Sequence, residues 1–80
     1  MSEGRFSALL SVIVPPVVAL IAGRKGVSEA TATEAFYRSA VYAKLSDEKS
    51  KLWHYGAETL YALYDDEVSG RAIEYPEEAF

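Results

Sequence analysis

Cysteine is absent from the eighty residues, so neither a disulfide nor a thiolate metal site can brace a chain this short. The usual staples of a small secreted scaffold are missing with it, and a cytoplasmic location is expected. Histidine and tryptophan occur once each, as neighbours at positions 54 and 53. No serine or cysteine constellation points to His54 and no orienting carboxylate can be named for it from sequence, so the expectation is a protein that is not an enzyme and needs no cofactor. Repeats, low-complexity tracts and an interdomain linker are also lacking, which leaves one domain over residues 1–80.

An excess of positive charge is missing too. The net charge is −4, unevenly divided. Residues 1–45 hold five Lys/Arg against three Asp/Glu, and residues 46–80 hold three against nine, giving +2 followed by −6. Nucleic-acid affinity comes largely from neutralising phosphates with Lys and Arg, so the acidic half repels DNA and RNA and suits a basic protein. Half of the residues are apolar and a quarter charged, the balance of a chain that folds.

The most unusual stretch is FSALLSVIVPPVVALIAG, Phe6 to Gly23, with no charged residue in eighteen. A helix here is apolar all round. Its length is at the lower limit for a bilayer span, and Arg5 on one side with Arg24 and Lys25 on the other would flank one. Pro15-Pro16 in the middle predicts a kink or two short helices, because each proline removes a donor and disfavours the helical conformation of the residue before it. The prolines and the want of a small-x-small cleavage site also disfavour a secretory signal. The stretch is read as a central core helix, with a single-pass membrane segment as a subordinate reading.

Gly23-Arg24-Lys25-Gly26 looks like a helix C-terminus, and Ser28 like the N-cap of the next helix. Residues 29–45 form that helix, with Ala32, Phe36, Ala40 and Ala43 on one apolar stripe and Tyr37, Val41 and Leu45 on the adjacent one. Residues 46–50 are a polar break. A third helix over 57–68 follows Gly56, its Ala57, Leu60, Tyr61, Tyr64 and Val68 recurring at helical spacing, and Gly70 ends it. Residues 71–80 read as an extended tail, with Ile73 and Tyr75 on one side and Pro76 forbidding a helix. The expected fold is all-α: a compact, orthogonal three-helix bundle, or four short helices if the first breaks at Pro15-Pro16, with a short C-terminal tail.

A helix apolar on every side must be covered on every side, and two neighbours plus a tail cover about two thirds of it. Something else should cover the rest, either a second copy or a different protein, with lipid third. Leu9, Leu10, Ile13 and Val17 of the first segment are the candidate interface residues. Trp53 and Tyr55 join them as amphipathic aromatics, and Ile73 and Tyr75 as the docking side of the tail.

Four motifs have both a functional and a plain reading. Ile21-Ala22 followed by Gly26-Val27-Ser28-x-x-Thr31 resembles the centre of a repressor-type helix-turn-helix, which would place Ser28, Thr31 and Arg38 against DNA. Glu29 and Glu34 near the start of that helix oppose it, and capping explains the same residues. Gly23-Arg24-Lys25-Gly26 also matches the GxxG clamp of KH-type RNA-binding domains, without the strands of that fold. His54 reads as a packed side chain. Asp65-Asp66-Glu67 cannot converge on one metal ion from successive helical positions and reads as a solvated face that suits a basic partner, since acids at a helix C-terminus oppose its dipole.

One family resemblance extends over residues 17–64. The apolar first helix, the Val27-Ser28-capped helix carrying Glu34-Ala35-Phe36-Tyr37, then Lys51-Leu52-Trp53-His54-Tyr55 and Thr59-Leu60-Tyr61, resemble small uncharacterised bacterial proteins encoded beside toxin-like genes. The Pro-Pro pair departs from that group. The resemblance implies a small helical accessory or antitoxin-like protein, with the acidic second half masking a basic site on its partner.

Overall fold

The computed structural model describes residues 3–70, and they are all-α. Four helices, α1 (Glu3–Lys25), α2 (Glu29–Tyr37), α3 (Ala40–Leu45) and α4 (Ala57–Val68), pack around one core, with two single turns of 3-10 helix, Glu48–Ser50 and Leu52–His54, between α3 and α4. The expected tail, with Ile73 and Tyr75, lies outside the described residues.

The fourth helix does not come from the prolines. Helix α1 continues through Pro15 and Pro16 as one element, which corrects the expected split into two short helices. Both prolines are exposed, so the carbonyls that lose their donors, those of Ser11 and Val12, lie on the solvent side. On the opposite side Val14, Val17, Val18 and Ile21 are buried, each stabilising the helix by about 1.5–3 kcal/mol, which offsets the lost hydrogen bonds. The helix ends as its sequence suggests: Gly26 takes φ +68°, and the Val27 N–H donates to the Ala22 carbonyl at 3.1 Å.

The break falls instead within residues 29–45. Ser28 caps α2, its Oγ accepting from the Thr31 N–H at 3.1 Å. Eleven residues on, Ser39 adopts extended backbone and caps α3 in turn. Its buried Oγ donates to the Phe36 carbonyl at 2.6 Å and accepts from the Tyr42 N–H at 3.0 Å, closing one helix and opening the next. The interruption resets the helical phase. Ala32 and Phe36 are buried as expected, but Ala40, Ala43 and Tyr37 are exposed, while Val41 and Leu45 are wholly enclosed.

A second support for α3 comes from α4. The Glu67 carboxylate accepts from the main-chain N–H groups of Ala40 at 2.9 Å and Val41 at 3.0 Å. Two orphan donors of a six-residue helix are thereby satisfied across the fold. In α4, Leu60, Tyr61 and Tyr64 are buried as expected, joined by Leu63, whereas Val68 is exposed, because the last turn docks through Glu67.

Phe36, Ile21, Leu45, Leu60, Val17 and Val41 are the largest side chains with essentially no exposure, so every α-helix contributes to the centre. At one end of this core, Arg24 meets both carboxylate oxygens of Glu58, at 2.8 and 2.6 Å, with its guanidinium 5.0 Å from the Tyr61 ring centre. Lys25 pairs with Asp65. These contacts fasten the C-terminus of α1 to α4.

Candidate interaction surface

Among the described residues, 28 % of the most apolar eighteen-residue stretch of α1 is buried, with Leu9, Leu10, Ile13, Leu20 and Ala22 half-buried beside it. The cause is rotational. The larger side chains, Phe6, Val14, Val17, Val18 and Ile21, face inward, with Leu10 and Ile13 packed at the margin. Ala8, Val12, Pro15, Pro16 and Ala19 recur at helical spacing on the outer face, all exposed, Val12 by 69 %. Among the described residues no charged side chain interrupts this face between Arg5 and Arg24.

The candidate interface residues divide accordingly. Leu9, Leu10 and Ile13 are half-buried and border the outer face. Val17 is fully enclosed, which removes it from any interface and assigns it to the core. Trp53 and Tyr55 are half-buried against the core, and the Trp53 indole N–H donates to the Glu48 carbonyl at 2.8 Å. Their first role is to hold the segment between α3 and α4 in place. His54 lies between them, exposed, its ring centre 5.7 Å from that of Trp53 and 4.5 Å from that of Tyr55.

The residues singled out for DNA contact sit around α2. Ser28 is committed to capping, its hydroxyl also donating to the Thr31 Oγ1 at 3.0 Å. Arg38 stands at the far end of α2 and pairs with Glu34 at 2.8 Å. The acidic run is less solvated than expected: Asp65 and Glu67 are half-buried, the first paired with Lys25 and the second capping α3. Their opposition to the α4 dipole is offset by these contacts within the chain.

The sequence reading missed a groove of about 390 Å³ between α1 and α2. Ser11, Val14, Pro15 and Val18 form one wall, and Glu29, Thr33 and Tyr37 the other. The spacing is present in the sequence, as i, i+3, i+4, i+7 on α1 and i, i+4, i+8 on α2. Their meeting depends on how α2 packs against α1 after the turn at Gly26-Val27-Ser28. Exposed Tyr37 is held edge-on to Tyr42, with ring centres 4.6 Å apart at 85°.

Among the described residues three titrations are displaced. The hydrogen bond to Glu58 raises the Arg24 value and that to Asp65 raises the Lys25 value, each opposed by desolvation, while burial raises that of Tyr64. All three lie at the junction of α1 and α4 rather than in the groove or on the outer face, so they hold the fold together. Compared with family models, with curated proteins and with solved structures, the chain matches none.

Proposed function

We propose that this chain acts by protein association, through the outer face of α1. The observation that carries the reading is the uncharged, exposed surface formed by Ala8, Val12, Pro15, Pro16 and Ala19 on a helix whose inner face is already packed. Contiguous apolar surface of this kind on a small domain marks an interface.

The prolines favour protein over lipid as the cover. Pro15 and Pro16 have no N–H to offer the carbonyls of Ser11 and Val12. In hydrocarbon each unmatched acceptor costs several kcal/mol, whereas a protein partner can bring donors to them. Duplex DNA is disfavoured by Glu29 and by the engagement of Arg38 with Glu34. A second copy and a different protein are both partners of the right kind. An antitoxin-like or accessory role in the cytoplasm is the specific form we favour, supported by the resemblance around Glu34–Tyr37 and Lys51–Tyr55 and by the acidic second half.

Site-specific photocrosslinking tests this. With p-benzoylphenylalanine in place of Val12, a discrete protein adduct is expected in cells, either a doublet of the 8.8 kDa chain or an adduct of another mass, and none from the same group at Ala43. Adducts to lipid alone, or no adduct, would overturn the reading. Light scattering over a concentration series separates self-association from a heteromer.

A further inference from the structure

We infer that the groove between α1 and α2 binds a lysine or arginine side chain presented by the protein partner. This rests on the association role proposed above and names the chemistry of what is recognised.

The groove offers acceptors. Ser11 Oγ donates its hydrogen to the Ser7 carbonyl at 3.1 Å, and Thr33 Oγ1 donates to the Glu29 carbonyl at 2.7 Å. Each hydroxyl therefore has only lone pairs left for a ligand. The Ser11 carbonyl, which in an uninterrupted helix would accept from residue 15, finds a proline there. The Glu29 carboxylate adds a full negative charge at one end. Among the described residues no lysine or arginine lines the groove, and the cations elsewhere on these two helices and their caps include Arg24 paired with Glu58, Lys25 with Asp65 and Arg38 with Glu34.

The remaining walls fit the stem of such a side chain. Val14 and Val18 form an almost fully buried apolar floor beside Pro15, against which a run of methylenes packs while its charged head stays near the acceptors. Tyr37, steadied by Tyr42, presents an aromatic ring at the other end, a further site of attraction for a cation. An anion would meet a carboxylate and lone pairs, and a purely apolar group would leave them unmatched.

The test uses the intact chain, isotopically labelled, and tri-lysine amide as probe, with tri-norleucine amide and tri-glutamate amide for comparison. Tri-lysine is expected to shift the amide resonances of residues 11–18 and 29–37, the other two peptides to leave them in place, and Glu29→Gln to weaken tri-lysine binding about tenfold, as for loss of one charge-assisted hydrogen bond. Thr33→Val, which keeps the shape and removes the acceptor, is expected to weaken it about threefold. Equal binding of tri-norleucine, shifts centred on Asp65–Glu67, or an unchanged Glu29→Gln variant would overturn the inference. A discrete cross-link at position 12 with no response to tri-lysine overturns it while leaving the association role standing. Tri-lysine binding without any cross-link supports the site and overturns that role.

Discussion

Glu67 caps Val41: the carboxylate in the last turn of α4 accepts the Val41 N–H at 3.0 Å, and the Ala40 N–H beside it at 2.9 Å. A six-residue helix has too few internal hydrogen bonds to persist alone, so α3 depends on such groups. Negative charge is favoured at the start of α3 and disfavoured at the end of α4, and the direct hydrogen bonds decide between them.

Glu67→Ala is accordingly expected to lower the unfolding free energy by about 1–2 kcal/mol, and Glu67→Gln by about half of that. Urea denaturation measures the loss, and hydrogen exchange should show Ala40 and Val41 opening first. Unchanged protection of those two amides would mean that Ser39 alone holds α3.

Truncation separates the core from the outer face. Leu60→Ala, at a fully enclosed position, is expected to cost about 2–5 kcal/mol, comparable with the whole stability of a domain this small. Val12→Ala, on the exposed side of α1, should stay within about 0.5 kcal/mol. Thermal melts by circular dichroism compare the two, and a Val12→Ala variant as damaged as Leu60→Ala would contradict the orientation of α1.

Replacing either proline should stabilise the protein. Pro15→Ala and Pro16→Ala each restore a helical donor and remove a ring clash worth about 3 kcal/mol, less the extra freedom that alanine allows the unfolded chain, for a net gain of about 1–2 kcal/mol. The melting temperature should rise in each single variant. A fall would show that the prolines hold α1 in a shape its packing requires.

Alkaline pH should loosen the junction of α1 and α4. The folded-state values of Lys25 and Tyr64 both lie above their ordinary 10.5 and 10.0, the first through its hydrogen bond to Asp65, the second through burial. A raised folded value means that the contribution is complete below the unfolded value and is lost as pH rises through the folded one. The urea midpoint should therefore be insensitive to these groups at pH ~8 and fall beyond pH ~10, where they begin to titrate in the unfolded chain. Tyr64→Phe should flatten that fall, and a variant with the same alkaline slope would assign it elsewhere.

Much of the architecture was legible because local chemistry states it. Ser28 and Gly26 mark helix ends through cap geometry that involves only neighbouring residues, and Leu60, Tyr61 and Tyr64 follow a plain helical period. The split of residues 29–45 was not legible, because Ser39 lies inside a run of helix formers and the carboxylate that satisfies the Ala40 and Val41 donors, Glu67, comes from twenty-eight positions beyond it. Pro15-Pro16 suggested the wrong break, since their effect depends on which side of α1 faces water. That same consideration could have identified the outer face, as prolines are best tolerated where the freed carbonyls can be hydrated.

By itself, then, the sequence determined an all-α chain with a first helix uncharged from Phe6 to Gly23, an acidic second half and no braces of sulfur or metal-binding thiolate. These follow from composition and from interactions within a few residues. The tertiary structure alone decided that Val17 is core while Val12 is surface, that Asp65 and Glu67 serve the chain itself, and that Ser11 and Thr33 line the same groove. A helix apolar all round carries no signal of its own about which side is covered. That is set by where α2 and α4 cross it.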